Sequence, residues 1–211
     1  MNTNDISQQI TQGVSILGNG GVIAFPTDTV YGLGASMLIP AAIERVFLVK
    51  ERPREMPLPL LVADIEQISN ITETITDTAL QLINTFLPGA LTLVMPRSGK
   101  VPDIVTAGNS TVAVRIPAHQ VPLAIIRELG ASVVGTSANR SGMKSPLTAN
   151  EVRTQLGSKV DMVIDGGRSL GEKESTIVDV TGETPRVIRE GAISYYELKK
   201  VCATIEFGNG G

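Results

Sequence analysis

The chain of 211 residues has one cysteine, Cys202, one histidine, His119, and no tryptophan. A single cysteine excludes an internal disulfide and a cysteine-based zinc site, and a single histidine excludes a histidine-rich metal site. A serine hydrolase would have to use His119 as its base, because the chain has no second imidazole. Aromatic residues make up only 3% of the chain, so a base-stacking platform for single-stranded nucleic acid has few side chains to use.

An excess of positive charge and long apolar runs are also lacking. The formal net charge is -3, which argues against a broadly basic protein that wraps nucleic acid. The apolar runs, such as residues 57–63, are far shorter than the ~20 residues of a membrane-spanning helix. Residues 1–5 lack the basic segment of a secretion signal. With 42% apolar and 18% charged residues, the sequence predicts a folded cytoplasmic protein that has no membrane contact.

Segments with helical periodicity alternate with short apolar runs typical of buried strands. Helices are predicted at 5–17, 40–50, 76–87, 122–129, 148–157 and from 194 onward. Strands are predicted at 22–25, 58–62, 91–95, 112–116, 133–135, 162–164, 177–180 and 186–188. Pro59 favours an edge position for the strand at 58–62. The interspersed pattern predicts one α/β domain over nearly the whole chain.

Several common catalytic signatures are missing from the sequence. No P-loop pattern is present, and Gly32 and Gly34 begin a dinucleotide-binding pattern without its third glycine, so a turn explains them better. Residues 135–139 lack the last glycine of a nucleophile elbow. Segment 25–34 is of more interest, because a buried strand is followed there by hydroxyls, a carboxylate and glycines. Ligands of α/β sheets bind beyond such strand ends, although a turn capped by Asp28 explains the same residues.

Three cations follow the predicted helix at 40–50. If the chain is extended there, Lys50, Arg52 and Arg54 point to the same side. They would repel one another unless an anion binds between them, and a polyphosphate is a natural partner for arginine. A solvated run of charges is the alternative interpretation.

Two further segments carry polar residues suited to binding. Ser137 and Asn139 follow a buried strand and offer a hydroxyl and an amide for phosphate or sugar oxygens, although a capped loop explains them equally well. Segment 174–176 begins a predicted hairpin that ends near Arg189. Arg115 lies in an apolar strand and needs a partner, which is either a carboxylate such as Asp28 or a ligand. Asp179 is a second candidate carboxylate partner for Arg115.

Together these segments resemble the YrdC-like family of threonylcarbamoyl-AMP synthases. The Lys-x-Arg pair at 50–52 and the Ser-x-Asn pair at 137–139 are similar to the family signature. Segments 25–34, 88–92, 111–117 and 174–177 resemble further family motifs in the same order. The resemblance covers roughly residues 10–195. It implies a single catalytic domain over residues 5–200, with a twisted mixed β-sheet, flanking helices and an open ligand-binding cleft. A flexible tail is expected at 203–211.

The resemblance also implies a reaction. L-Threonine and bicarbonate give N-carboxy-threonine, whose carboxylate attacks the α-phosphorus of ATP to form threonylcarbamoyl-AMP and pyrophosphate. A downstream transferase complex then passes the threonylcarbamoyl group to the adenosine beside a tRNA anticodon. Mg²⁺ is expected with ATP and without a protein ligand. Contact with tRNA or double-stranded RNA is a further expectation.

Residue roles are implied in the same way. Catalysis is assigned to Lys50, Arg52, Ser137 and Asn139. The nucleotide is assigned to these four residues together with Arg54, Thr111, Ser145 and Arg189. Threonine binding is assigned to Thr27, Arg115 and Ser175. Two alternatives stay open, which are a YrdC-like paralogue acting on another acceptor and a non-catalytic RNA-binding module that uses the basic residues of segment 45–54.

Overall fold

The structure is a computed structural model, and it describes residues 3–171 and 173–208. Within these ranges the helices are α1 (Thr3–Gly18), α2 (Pro40–Lys50), α3 (Ile65–Ile71), α4 (Asp77–Phe86), α5 (Asp103–Thr106), α6 (Gln120–Leu129), α7 (Ala149–Leu156) and α8 (Tyr195–Val201). The strands are β1 (Ile23–Phe25), β2 (Gly32–Ser36), β3 (Leu60–Leu61), β4 (Leu91–Pro96), β5 (Thr111–Arg115), β6 (Val133–Ser137), β7 (Met162–Val163), β8 (Thr176–Asp179), β9 (Arg186–Arg189) and β10 (Glu206–Phe207). None of the helices in the described part of the chain is both long enough and apolar enough to cross a membrane.

Proline and capping residues fix where several helices begin. α2 has Pro40 in its first turn, where the missing amide proton would have no helical partner. Thr148 and Ser194 accept hydrogen bonds from the backbone N–H groups of Glu151 and Glu197. At Ser194 the Glu197 carboxylate also accepts a hydrogen bond from the Ser194 backbone N–H, which completes a capping box. The predicted starts of these three helices are therefore confirmed.

All the strands belong to one mixed sheet in the order β10-β9-β8-β4-β5-β3-β6-β2-β1-β7. The pairs β1–β7, β3–β5, β4–β8 and β9–β10 are parallel, and the other pairs are antiparallel. The strands β8 and β9 form the predicted hairpin. The predicted α/β class, with a mixed sheet and flanking helices, is confirmed.

Two strands differ from the prediction. β3 lies inside the sheet, between β5 and β6, instead of at an edge. Pro59 precedes the strand and contributes only its carbonyl, which accepts a hydrogen bond from Gly135 N at 2.8 Å. The missing N–H of Pro59 therefore removes no hydrogen bond from the sheet. Gly32 and Gly34 belong to β2 and not to a turn. The Phe25 ring lies 3.2 and 2.9 Å from where their Cβ atoms would be, so packing explains these glycines.

The C-terminal segment is more ordered than the sequence predicts. β10 pairs with β9, Ile205 is fully buried, and the Tyr195 and Phe207 rings stack with their centroids 4.4 Å apart. The prediction of a flexible tail from residue 203 is therefore wrong through Gly208, because these contacts anchor the segment. Residues 209–211 lie outside the described residues.

The two faces of the sheet are covered unequally. The larger apolar core lies on one face under α2, α3, α4, α7 and α8. On the other face α1 and α6 pack over β1 and the neighbouring ends of β3 and β6, in a smaller cluster that includes Leu17, Phe25, Leu61, Ile125 and Val133. This second face is therefore covered on the side of β1.

Beyond this cluster the second face is only partly covered. Leu61 pairs with Arg115, and directly paired residues share a face of the sheet. The alternation of side chains along a strand then puts Thr111 and Ala113 on this face as well. Both residues, and Val94 opposite Ala113, are only partly buried. The half-covered sheet thus forms the open cleft that the resemblance implies.

Candidate active site

Lys50 ends α2 and is only 2% exposed. Its ammonium group donates hydrogen bonds to the backbone carbonyl of Ser137, to that of Asn139 at 2.9 Å, and to Asn139 Oδ1 at 3.2 Å. Burial, aided by the charge of Arg52, lowers the pKa of the Lys50 ammonium to about 8, against the opposing effect of Glu174. Lys50 is therefore held firmly at one orientation by oxygen atoms from a distant loop.

The chain turns sharply after α2. Glu51 has a left-handed backbone with a φ of 54°, so the alternation of an extended segment does not apply. Arg52 donates hydrogen bonds to the carbonyls of residues 56–57, at 3.2 and 3.0 Å. Arg54 pairs with Glu44 of α2, and its side chain is 67% exposed. The prediction that the three cations of this segment share one side is wrong, because the helix and the left-handed turn send Arg54 to Glu44.

Asn139 has its polar side-chain atoms engaged within the protein. The amide nitrogen donates to the carbonyls of Arg140 at 3.0 Å and Met143 at 2.6 Å, and Oδ1 accepts from Lys50. In this arrangement Asn139 holds Lys50 and its own loop in place. The Ser-x-Asn pair therefore supports the Lys-x-Arg pair directly.

The Glu174 carboxylate gathers several of the predicted site residues. Oε1 accepts a hydrogen bond from Ser145 Oγ at 2.7 Å, Oε2 pairs with Arg189, and the Ser137 hydroxyl helps to lower the pKa of the carboxylate. Burial alone would raise the pKa of Glu174. The hydroxyls of Ser145 and Ser137 and the charges of Arg189 and Lys50 outweigh burial and lower it. Glu174 is thus a counter-ion at the centre of the cluster.

A second polar network surrounds the end of β5. Arg115 donates to Gly89 O at 2.9 Å, to Thr29 Oγ1 at 3.0 Å and to Asp28 Oδ1 at 2.7 Å. The hydroxyls of Thr27 and Thr29 are 3.0 Å apart. Asp28 is therefore the carboxylate partner that an arginine in an apolar strand needs.

Ser175 and Thr111 are the remaining residues assigned to the site. Ser175 Oγ is 2.8 Å from Thr92 Oγ1, and its carbonyl accepts a hydrogen bond from Arg189 at 2.8 Å. Thr111 begins β5, which pairs with β3, and β3 pairs in turn with β6, the strand that ends at Ser137. Thr111 thus faces the same cleft without a direct bond to the Glu174 cluster among the described contacts.

Backbone hydrogen bonds join the loops that carry these side chains. Tyr31 N donates to Pro146 O at 2.9 Å, and Ala138 N donates to Tyr31 O at 2.8 Å. Ser141 N donates to Lys50 O at 2.9 Å. The loops after β1, α2 and β6 are therefore bound to one another, which fixes the spacing of the site.

The sequence pattern predicts no role for Glu174 beyond its place in segment 174–176. The signal that could have found it is charge balance. Lys50, Arg52 and Arg189 need a counter-ion, and Glu174 is the carboxylate in the motif that contains Ser175. Arg54 is the predicted site residue that the structure places in a different ion pair.

The described residues contain no group of three or more His, Cys, Asp and Glu side chains that could hold a metal ion. The polar residues of the cleft instead suit an anion, because lysine, arginine and hydroxyl groups surround one carboxylate. The fold and the site therefore define an α/β protein that gathers cationic and hydroxyl side chains around one carboxylate at the open side of a mixed sheet. The Sua5/YciO/YrdC family model, described as telomere recombination, matches residues 15–191. The chain belongs to this family.

Named relatives agree with this assignment. A threonylcarbamoyl-AMP synthase of Pyrococcus abyssi is 41% identical over 186 residues, which are 88% of this chain and 55% of that protein. One of Bacillus subtilis is 37% identical over 211 residues, which are 100% of this chain and 60% of that protein. The structure of P. abyssi Sua5 complexed with L-threonine has a TM-score of 0.92 and 39% identity, over 94% of this chain and 58% of that one. The chain thus spans a little over half the length of these relatives.

Proposed function

We propose that this protein is a threonylcarbamoyl-AMP synthase, a nucleotidyltransferase that uses L-threonine, bicarbonate and ATP. One observation carries the proposal: polar side chains from distant parts of the chain meet around a single anionic position at the open cleft. These side chains are Lys50, Arg52, Ser137, Ser145 and Arg189. The relatives that bear this name support the same activity.

The reaction needs charge stabilisation more than a protein nucleophile. A carboxylate oxygen of N-carboxy-threonine attacks the α-phosphorus of ATP, the bond to the bridging oxygen of the β-phosphate breaks, and its electron pair leaves with pyrophosphate. Positioning and preorganised charge are the main contributions of a protein to such a transfer. Lys50 and Arg52 would stabilise the negative charge of the leaving pyrophosphate, and Arg189 would orient the phosphates with the two serine hydroxyls. Mg²⁺ would enter with ATP, bound by phosphate oxygens and water.

Thr27, Arg115 and Ser175 form the proposed threonine site. Arg115 is 7% exposed and belongs to a hydrogen-bonded network of hydroxyl and carboxylate groups. Such a polar site suits a small zwitterion that carries a hydroxyl group. The P. abyssi Sua5 structure with L-threonine supports this choice of amino acid. Thr111, on the open side of the same strand, would contact the nucleotide.

We further propose that the product passes to a separate tRNA threonylcarbamoyl transferase complex in the cytoplasm. Threonylcarbamoyl-AMP is an anhydride of a carbamate and a phosphate, and is therefore an activated donor for an amino group. An RNA-binding module is a weaker proposal, because Arg45 pairs with Asp161 and Arg54 pairs with Glu44. A direct contact with tRNA or double-stranded RNA would show as binding that weakens steeply with salt.

The test is pyrophosphate release from ATP by the purified chain, with L-threonine, bicarbonate and Mg²⁺ omitted one at a time. The proposal predicts release only when all three are present, and little release when L-serine replaces L-threonine. Release without threonine would indicate a paralogue that uses another acceptor. The absence of release from folded protein would contradict the synthase function.

A further inference from the structure

The Glu174 carboxylate lies among the hydroxyl and cationic groups that are assigned to the phosphates of ATP. Its oxygens bind Ser145 and Arg189 directly, and its charge acts on Lys50 and Arg52. These are groups assigned to the phosphates of ATP, so an acidic side chain lies where a phosphate would be expected. Two anions cannot share these donors without repulsion.

The main chain of Glu174 is fixed, whereas its side chain is accessible. Ala192 N donates to Glu174 O at 2.9 Å. Gly191 packs so closely that a Cβ on it would lie 2.2 Å from the same oxygen. The side chains of Glu174 and Arg189 are 34% and 42% exposed. An incoming anion could therefore reach the carboxylate and displace it by rotation of the side chain alone.

We propose that Glu174 is a positioning residue that takes the place of phosphate among these donors until the nucleotide binds. It keeps Ser137, Ser145 and Arg189 oriented before the nucleotide arrives, and it competes with the incoming polyphosphate for these donors. This inference rests on the proposed function, because it takes nucleotide phosphates as the ligand of the cluster. Loss of the charge at Glu174 should then strengthen polyphosphate binding, whereas a purely structural residue would weaken binding when replaced.

The experiment is calorimetric titration of the full chain with inorganic tripolyphosphate, without Mg²⁺. Glu174→Gln keeps a side-chain oxygen for Ser145 and removes the charge. We expect it to bind tripolyphosphate about tenfold more tightly than the natural chain, the effect of removing one ion pair and one repulsion. Glu128→Gln, an exposed change on α6, alters the net charge equally and should leave the affinity within about twofold.

Equal or weaker binding by folded Glu174→Gln would overturn the inference, as would no tripolyphosphate binding by any variant. If the Gln variant does not fold, Glu174→Ala supplies the same comparison, with tightening of at least about threefold expected. Threonine-dependent pyrophosphate release by the natural chain separates the two proposals. Release without tighter binding in the variant refutes the role of Glu174 alone, and tighter binding without release refutes the synthase function alone.

Discussion

The ammonium nitrogen of Lys50 lies 2.9 Å from the carbonyl oxygen of Asn139 and 3.2 Å from its side-chain oxygen. The two residues are 89 positions apart in the chain, one at the end of a helix and the other in the loop after β6. The contact makes the Lys-x-Arg and Ser-x-Asn pairs one structural unit. A change in either pair should therefore disturb the other.

The Arg52 and Arg54 side chains offer a matched comparison. Arg52→Ala should lower kcat/KM for ATP by about 10²-fold, because it removes a charge from the phosphate site. Arg54→Ala should leave kcat/KM within about twofold, since it loses only an exposed ion pair with Glu44. Steady-state pyrophosphate release measures both, and similar losses in the two variants would contradict the placement of the site.

Lys50→Ala should affect both activity and stability. Turnover should fall by about 10²-fold or more, because the charge beside the phosphates is lost. The free energy of unfolding should fall by about 1–3 kcal/mol, because buried carbonyl and amide oxygens lose their donor. Urea unfolding and pyrophosphate release test the two parts. Normal turnover in the folded variant would refute the assignment.

The lowered pKa of Lys50 predicts a pH dependence of activity. The protonated amine carries the charge that binds phosphate, so kcat/KM for ATP should fall as the pH rises through about 8. Lys50→Arg stays charged in this range and should lose this fall, whatever its absolute rate. A decline with the same midpoint in the Arg variant would assign the titration to another group.

The lowered pKa of Lys50 predicts that stability changes with pH in the opposite direction to activity. The folded value of about 8 lies below the ordinary 10.5, so the unfolded chain binds this proton more tightly between these values. The contribution of Lys50 to the free energy of unfolding should therefore rise with pH across that window. Urea unfolding at several pH values, with Lys50→Arg as the reference, measures the difference, and a relative fall with pH would contradict the burial of a charged amine.

Ser137→Ala should act on binding geometry. The KM for ATP should rise, and kcat should change by less than about tenfold, because the hydroxyl orients phosphate and forms no bond to it. Rapid quench of the natural chain with radiolabelled ATP should yield no covalent adduct. A labelled adduct on Ser137 would replace this mechanism with a covalent one.

Gly191→Ala should strongly destabilise the fold beside the site. Its Cβ would lie 2.2 Å from Glu174 O and 2.6 Å from Ser175 C and O, and these backbone atoms cannot move aside cheaply. We expect a loss of about 1–3 kcal/mol in the free energy of unfolding. Gly99→Ala has open space around its Cβ and should change this free energy by less than about 0.5 kcal/mol. Equal effects in thermal unfolding would contradict the packing of these segments.

Local signals in the sequence predict most of the elements. Pro40 and the capping residues Thr148 and Ser194 mark helix starts by short-range chemistry, so those helices are predicted well. β2 is missed because its glycines serve packing against Phe25 on a neighbouring strand. The place of β3 inside the sheet depends on long-range pairing, which no local pattern contains.

For the candidate site too, the sequence predicts what depends on local residue types and misses what depends on long-range contacts. The residue types of the Lys-x-Arg and Ser-x-Asn pairs indicate an anion site, and the structure joins the two pairs through Lys50. The separation of Arg54 depends on the left-handed turn at Glu51, which the residue type does not favour. The role of Glu174 depends on contacts between segments far apart in the chain, so it emerges only from the folded structure.

The most direct test is to identify the product by mass spectrometry after incubation with ATP, L-threonine, Mg²⁺ and ¹³C-labelled bicarbonate. The account predicts threonylcarbamoyl-AMP that carries one ¹³C atom, formed in equal amount with pyrophosphate. Pyrophosphate accompanied only by AMP, under conditions that preserve an added standard of threonylcarbamoyl-AMP, would contradict the account.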